Sequence, residues 1–219
     1  MGNLFNDNFG STTPDNLFFD GTHPVDIKGV TLKSGQGILA RGTVLGIIGL
    51  AAGAAVAGAN TGTGTIGAVT LGFGARLGAY KLRCITAAAN GGTFAVYAPD
   101  GSRLPDATVA VAYANSQLGF TIADGGTDFI VGDTFTITVA EGSLKAVKVN
   151  SANFDGSGVA DCILTDSVDT TAADVVTTAY QTGSFNRNAL IFGGTDTAEQ
   201  HENHLRTLGI YLKDVIPYV

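Results

Sequence analysis

Short runs of alternating apolar and polar residues, separated by glycine and polar turns, constrain the fold of this chain most. In the clearest run, residues 134–139, Phe135, Ile137 and Val139 alternate with three threonines. Because successive side chains of a strand point to opposite faces, the run predicts a strand with one buried face. Similar runs predict strands at residues 66–71, 80–86, 93–98, 108–113 and 118–123. Such spacing is typical of a sandwich or a barrel.

The composition supports a mainly β protein. Among 219 residues 31 are glycine, 45% are apolar and only 14% are charged. Enough apolar surface is present to build hydrophobic cores, and the length suits one large or two small domains. Glycine favours turns and closely approaching strands. One such turn is predicted at Pro99, Asp100 and Gly101, with the glycine in the left-handed position.

The charge distribution excludes one class of partner. The net charge is −7, and no segment forms a basic patch, so we predict no nucleic-acid binding. Residues 43–59 contain no charge, but they are short for a membrane span and rich in Ala and Gly, which favours a buried strand and no membrane partner. Residues 1–10 show no signal peptide, and Cys84 and Cys162 are predicted to be buried free thiols.

A closing unit is predicted near the C-terminal end. Residues 37–49 predict the opening strand of the same domain, and residues 144–149, 159–164 and 175–180 predict further strands. After these, Gly183 is predicted to break an apolar-polar run just before Phe185. Residues 186–188 then suggest a polar corner, and residues 189–192 an apolar return.

The best helix signal follows this corner. Asp196 is the predicted N-cap, and Glu199 stands three residues later, as in a capping box. Gly209 occupies the left-handed C-cap position, and Leu205 and Ile210 have the spacing of the apolar contact that accompanies this cap.

The N-terminal residues have a different character. Residues 1–22 show no strand or helix period and predict an arm without its own core. Residues 25–33 predict a strand with a bulge at Gly29, on which the apolar residues are Val25, Ile27, Val30 and Leu32. Two interpretations stay open: the strand adds to the sheet edge of another chain, or it is an edge strand of this chain's own sheet.

Three sequence blocks resemble the head decoration proteins of lambda-type phages. Residues 42–46 (GTVLG) resemble the opening strand of that family, residues 155–160 (DGSGVA) its Asp-Gly loop, and residues 183–187 (GSFNR) with Leu190 its closing strand. Residues 205–212 resemble a C-terminal extension of larger members. The resemblance implies a small β-barrel or tulip domain with one short C-terminal helix.

Small members of that family lack a counterpart of residues 60–140. This stretch is therefore predicted to be an inserted Ig-like β-sandwich. The expected domains are an N-terminal capsid-binding arm at residues 1–37, a decoration domain at residues 38–59 and 141–219, and the insert at residues 60–140.

The resemblance also implies a function. A member of the family would be a virion protein that binds the outside of the expanded head as a homotrimer, grips the major capsid protein and stabilises the shell. Its assembly would take place in the host cytoplasm. The arm would pair with a capsid strand, which agrees with the interpretation of residues 25–33 above. Phe185 and Arg187 are implied interface residues, with a core aromatic and a turn charge as the alternative.

No catalytic or metal site is predicted. His201 and His204 lie on the predicted helix without a third His or Cys to join them, so a solvated helix face is expected. Asp124, Asp128 and Asp133 suggest an Asp/Gly turn more than a Ca²⁺ loop. No nucleophile, acid and base set is visible, so we expect no enzyme and no cofactor. The alternative function is a virion surface adhesion module whose insert binds host-cell glycans or proteins.

Overall fold

A computed structural model describes residues 16–215. In chain order the first strands are β1 (Phe18–Asp20), β2 (Asp26–Leu32), β3 (Ile38–Leu39), β4 (Val44–Ile47), β5 (Leu50–Ala52), β6 (Val56–Ala57), β7 (Thr65–Ile66) and β8 (Thr70–Leu71). The middle strands are β9 (Gly78–Ala88), β10 (Gly91–Tyr97), β11 (Arg103–Thr108), β12 (Ala112–Ala114), β13 (Leu118–Ala123) and β14 (Thr134–Glu141). The last elements are β15 (Ala146–Lys148), β16 (Cys162–Leu164), β17 (Val168–Asp169), β18 (Val175–Asn186), a 3₁₀ helix (Arg187–Ala189), α1 (Ala198–Thr207) and β19 (Ile210–Lys213). The mainly β fold with one short C-terminal helix is as predicted.

Five strands close into a ring. The order is β18, β16, β4, β15 and β2, and β2 returns to pair with β18. Leu32, Leu45 and Leu164 are fully buried and contribute to the cluster inside this ring. Burial of apolar side chains of this size is the main stabilising contribution in such a small core.

The end of β18 extends beyond the ring and is covered on both sides. β1 pairs with it antiparallel, and β19 pairs with it parallel. Lys213 of β19 donates to Asp20 of β1 at 2.7 Å, which ties the two flanking strands together. A second cluster forms here, in which Phe185 and Leu205 are fully buried.

Residues 50–141 contain two further sheets around one core. The larger has the order β11, β10, β9, β14, β5, with β6 beside β14, and the smaller has β12, β13 and β7, with β8 beside β13. Tyr80, Phe94, Ile122 and Ile137 are fully buried in the shared cluster. The boundaries at residues 59/60 and 140/141 stay a prediction. Two pairings bear on them, because β5 and β6 precede residue 60 yet both pair with β14.

A continuous two-stranded ribbon joins the ring to these sheets. β4 pairs with β15, and β5 pairs with β14 beyond it. Between the two ladders, Gly142 N donates to the Gly49 carbonyl at 2.9 Å, and the Asp155 carbonyl accepts from Gly49 N at 2.7 Å and Leu50 N at 2.8 Å. The backbone groups of this connection are therefore paired with one another and with the loop that contains Asp155.

The helix differs from its prediction at the start and agrees with it at the end. Thr197, not Asp196, is the N-cap, and the Gln200 side chain accepts from Thr197 N at 2.7 Å. Asp196 is engaged instead by Ser151 of a distant loop. Gly209 has a φ of 85° and donates to the Arg206 carbonyl, so the glycine C-cap is confirmed.

Four strand predictions need correction. β18 runs unbroken through Gly183, because glycine accepts the φ of 142° found there. The predicted bulge at Gly29 is absent, because β2 pairs in regular register there. The register shift of this ladder lies on β18, between Tyr180 and Thr182. The predicted strand at residues 108–113 is split by a turn in which Ala110 has a φ of 61°. The predicted strand at residues 66–71 is likewise divided into two short strands, β7 and β8.

Both cysteines are free and buried, as predicted. Residues 43–59 form strands, of which β4 is the buried one. Among the residues that the structure describes, no helix has the length and apolar character needed to cross a membrane.

Candidate functional site

The four predicted arm residues, of which Val25 directly precedes β2 and the other three lie on it, divide into two groups. Val25 and Ile27 expose 45% and 54% of their surface, whereas Val30 and Leu32 expose 9% and 0%. Val30 and Leu32 point into the ring and pack in its core. Within the chain, therefore, this segment is a strand of its own sheet, and only Val25 and Ile27 present apolar side chains to a partner.

β2 has one paired edge and one largely open edge. Residues 26–32 pair with β18, whereas the pairing with β15 is confined to Leu32 opposite Ala146. Lys33 N donates to the Ala146 carbonyl at 3.0 Å, so the peptide groups of Lys33 point toward β15. With the two-residue period of a strand, those of Gly29 point to the same side.

The residue opposite Gly29 confirms this direction. Thr178 faces Gly29 across the ladder, and its carbonyl accepts from the Thr165 hydroxyl at 2.9 Å on the far side of β18. Gly29 and Thr178 are therefore a non-hydrogen-bonded pair of the antiparallel ladder, in which the peptide groups of the two residues do not bond to each other. Among the described residues, no strand lies beside the Gly29 edge of β2.

A cleft of about 430 Å³ follows this open edge. Residues 28–31 line it together with Ile47 and Leu144, and Val176 joins from β18, across β2 from the open edge. Leu144 and Val176 expose 66% and 79% of their surface. Within residues 16–215 the site thus combines unpaired backbone groups at Gly29 with the apolar side chains of Ile47 and Leu144, which is the arrangement that accepts an added strand.

Phe185 lies in the core. It is fully buried, and its ring centroid is 5.2 Å from that of Phe18 and 5.5 Å from that of Tyr180. For this side chain to contact another chain, β1, whose Phe18 packs on it, would have to separate from β18. The geometry supports the core-aromatic alternative for Phe185.

Arg187 joins the corner after β18 to α1. It forms an ion pair with Glu202 and lies 3.9 Å from both Glu199 and Asp214. Glu202 also accepts from Arg206 at 2.9 Å. The Arg187 side chain is 23% exposed, so this cluster reaches the surface while it holds the helix in place.

A buried polar group escaped prediction. His201 is only 4% exposed and its ring stacks on Phe192, so the expected solvated helix face is wrong at this position, while His204 is exposed. Asp196 lies 2.8 Å from His201 Nε2 and accepts two bonds of 2.6 Å from Ser151. In the sequence, Asp196 is the one signal of this buried group, but its partner Ser151 lies 45 residues away, so no local pattern connects them.

A buried carboxylate anchors the end of the Asp/Gly loop of residues 124–133. Asp133 is buried and accepts from Thr61 N at 3.0 Å, Gly62 N at 2.9 Å and Ile130 N at 3.1 Å. Burial opposes ionisation, but these three bonds outweigh it and leave the pKa of Asp133 below its usual value. Within residues 16–215, no group of His, Cys, Asp and Glu has the arrangement of a metal site.

Comparison with solved structures gives only weak likenesses. Two crystal structures of FlgL from Xanthomonas campestris, in space groups H3 and C2, match with 18% and 17% identity and TM-scores of 0.32 and 0.31. They cover 47% and 49% of this chain, and the match spans 33% of each FlgL chain. Similarity this low supports no argument about fold or function.

Comparison with families is decisive. Curated proteins give no match. The family model described as bacteriophage lambda head decoration protein D matches residues 8–211, which is most of the chain and includes all three blocks that carry the resemblance. The chain therefore belongs to the bacteriophage lambda head decoration protein D family.

Proposed function

We propose that the protein binds the outside of the expanded phage head as a homotrimer and stabilises the shell by gripping the major capsid protein. The observation that supports this proposal is the family match over residues 8–211. A protein that binds only the expanded lattice stabilises it by mass action, and three linked copies add avidity.

The open edge of β2 is the proposed contact with the capsid protein. An extended capsid segment would bond to the peptide groups of Gly29 and place apolar side chains against Ile47 and Leu144. Val25 and Ile27 would cover it at the exposed end of β2. Val30 and Leu32 would act indirectly, because they hold β2 in the ring.

The predicted three-part organisation is kept as a proposal with two changes. The arm contact of residues 1–37 is assigned to the β2 edge, since β2 is itself a strand of the ring. The insert of residues 60–140 is proposed to project away from the shell, with β5 and β6 as part of its larger sheet. The paired ribbon at Gly49 and Gly142 would make that projection stiff.

A matched pair of substitutions tests the strand addition. Gly29→Pro removes the N–H that points to the open edge and leaves the bonds to β18 in place. Gly29→Ala keeps that N–H, and a Cβ at this position meets nothing within 4 Å. The proposal expects Gly29→Ala to co-sediment with expanded, undecorated heads as the unmodified protein does, and Gly29→Pro to lose this binding.

Two controls sharpen the result. Thermal unfolding of both variants shows whether the ring remains folded, and sedimentation equilibrium of each shows whether the free oligomeric state has changed. A folded Gly29→Pro variant that still binds heads with unchanged affinity would contradict the strand addition.

A further inference from the structure

The outward face of β9, β10 and β14 groups two basic side chains with side chains that carry hydroxyl groups. Tyr80 and Leu82 of β9 point into the core, so Lys81 and Arg83 point to solvent on the opposite face. Lys81 lies between Tyr97 of β10 and Thr136 of β14, and Arg83 lies opposite Thr134. Five polar side chains from three strands therefore meet in two adjacent cross-strand rows.

The two bases of this face have no ion-pair partner. Residues 60–140 contain four bases, and two of them are paired: Arg76 with Asp100, and Arg103 with Asp106 at 2.9 Å. Lys81 and Arg83 form no ion pair with any residue in 16–215. In a protein of net charge −7, adjacent unpaired cations give a local positive potential suited to an anionic ligand.

The hydroxyl groups beside these cations are also unused. Tyr97 is half-buried, and neither its hydroxyl nor those of Thr134 and Thr136 is hydrogen-bonded within the described part of the chain. These side chains, together with Lys81 and Arg83, line a cavity of about 290 Å³. Such a volume is at the lower limit of small-ligand sites, which span roughly 300–1,000 Å³.

We propose that this face binds an acidic saccharide, with the carboxylate of a uronic-acid unit as the anchoring group. The Arg83 guanidinium offers parallel donors to a carboxylate, and Lys81 adds a second positive charge. The Thr134, Thr136 and Tyr97 hydroxyls supply donors and acceptors for sugar hydroxyls. The Tyr97 ring offers an apolar surface with a polar tip, which suits a sugar ring.

An acidic peptide is the competing anionic ligand, and the lining favours the saccharide. Three hydroxyl groups stand beside two cations, while the apolar side chains of Leu82 and Phe135 are buried in the core behind the site. A peptide would find charge partners but no pocket for its own apolar side chains. This face is separate from the β2 edge, so it adds to the proposed capsid binding and does not depend on it.

Titration of the isotope-labelled full chain with tetragalacturonate at low ionic strength tests the proposal, with maltotetraose as the neutral control. Saturable shifts of the backbone resonances around Lys81, Arg83 and Tyr97, absent with maltotetraose, are expected. The double variant Lys81→Gln, Arg83→Gln should weaken binding more than tenfold, and Tyr97→Ala should weaken it severalfold.

Arg76→Gln is the matched control, because it removes one charge from a paired base of the same unit. It should leave the affinity unchanged. No saturable binding, an unaffected double variant, or a hexaglutamate peptide that binds as tightly as tetragalacturonate would overturn the proposal. The double variant should still bind phage heads, so a failure here is distinguishable from a failure of capsid binding.

Discussion

Asp196 and His201 form a buried polar pair, with Asp196 Oδ2 lying 2.8 Å from His201 Nε2. Their side chains are only 3% and 5% exposed. Ser151 completes the carboxylate's partners with its backbone N–H and its hydroxyl. This group ties the start of α1 to the loop after β15, so it connects the C-terminal helix to the ring.

The pair predicts an acid-sensitive contribution to stability. Burial raises the pKa of Asp196, but the bonds from Ser151 and His201 outweigh it and leave this pKa below its usual value. A carboxyl whose pKa is lower in the folded than in the unfolded protein stabilises the fold. This contribution is complete above the unfolded-state pKa of about 4, and it is lost as the pH falls through the folded-state pKa.

Asp196→Asn should therefore lower the free energy of unfolding by about 1–3 kcal/mol at pH 7, and by less at pH 3. Urea unfolding at both pH values measures the difference. Glu199→Gln is the control, since the Glu199 side chain is 78% exposed. An equal loss of stability at both pH values would contradict the assignment of this acid sensitivity to Asp196.

Phe185 is predicted to act through packing. Phe185→Ala should reduce the free energy of unfolding by about 3–5 kcal/mol, because it leaves a cavity beside Phe18 and Tyr180. Phe73→Ala removes the same side chain at a site that is 79% exposed, and its effect should stay within about 0.5 kcal/mol. A Phe185→Ala protein of unchanged stability that fails to bind heads would instead place Phe185 at an interface.

Gly46 is predicted to be required by close backbone contact. A Cβ at this position would lie 2.2 Å from the Ser157 carbonyl oxygen and 2.8 Å from that of Val159. Gly46→Ala should therefore destabilise the ring by at least about 1–3 kcal/mol, the usual cost of overpacking. Chemical denaturation alongside Gly29→Ala checks this, and equal stability of the two variants would contradict the close contact.

The two thiols are predicted to be unreactive in the folded protein. Burial raises the pKa of Cys84, and burial raises that of Cys162 to about 12. Because the thiolate is the reactive form, a disulfide reagent at pH 8 should label the native protein far more slowly than a free thiol. Both cysteines should react once the chain is unfolded, and rapid labelling of the native state would contradict their burial.

Local patterns predicted the elements whose structure depends on nearby residues. The run at residues 134–139 matches β14 because its alternation fits a half-buried strand. Gly209 ends α1 because a left-handed residue is needed within the same turn. The turn at Pro99, Asp100 and Gly101 was found for the same reason, and Gly101 has a φ of 82°.

Distant partners account for most of the errors. Asp196 has the chemistry of an N-cap, but Ser151 and His201 take its oxygens, and Thr197 caps the helix. The interruption predicted at Gly183 is absent, because β18 continues through this residue and Gly183 pairs with Ile210 of the distant strand β19. The edge of β2 is open at Gly29 because β15 pairs with β2 only at Leu32. No local pattern near Gly29 predicts where this pairing ends.

Co-sedimentation with heads in two states tests the central claim most directly. Purified protein is mixed with expanded, undecorated heads of the source phage and, separately, with unexpanded heads. The account predicts saturable binding to expanded heads at about one copy per capsid subunit, with little binding to unexpanded heads, because only the expanded lattice would present the gripped segment. No binding to expanded heads, or saturation at a few copies per particle, would contradict a decoration function for this chain.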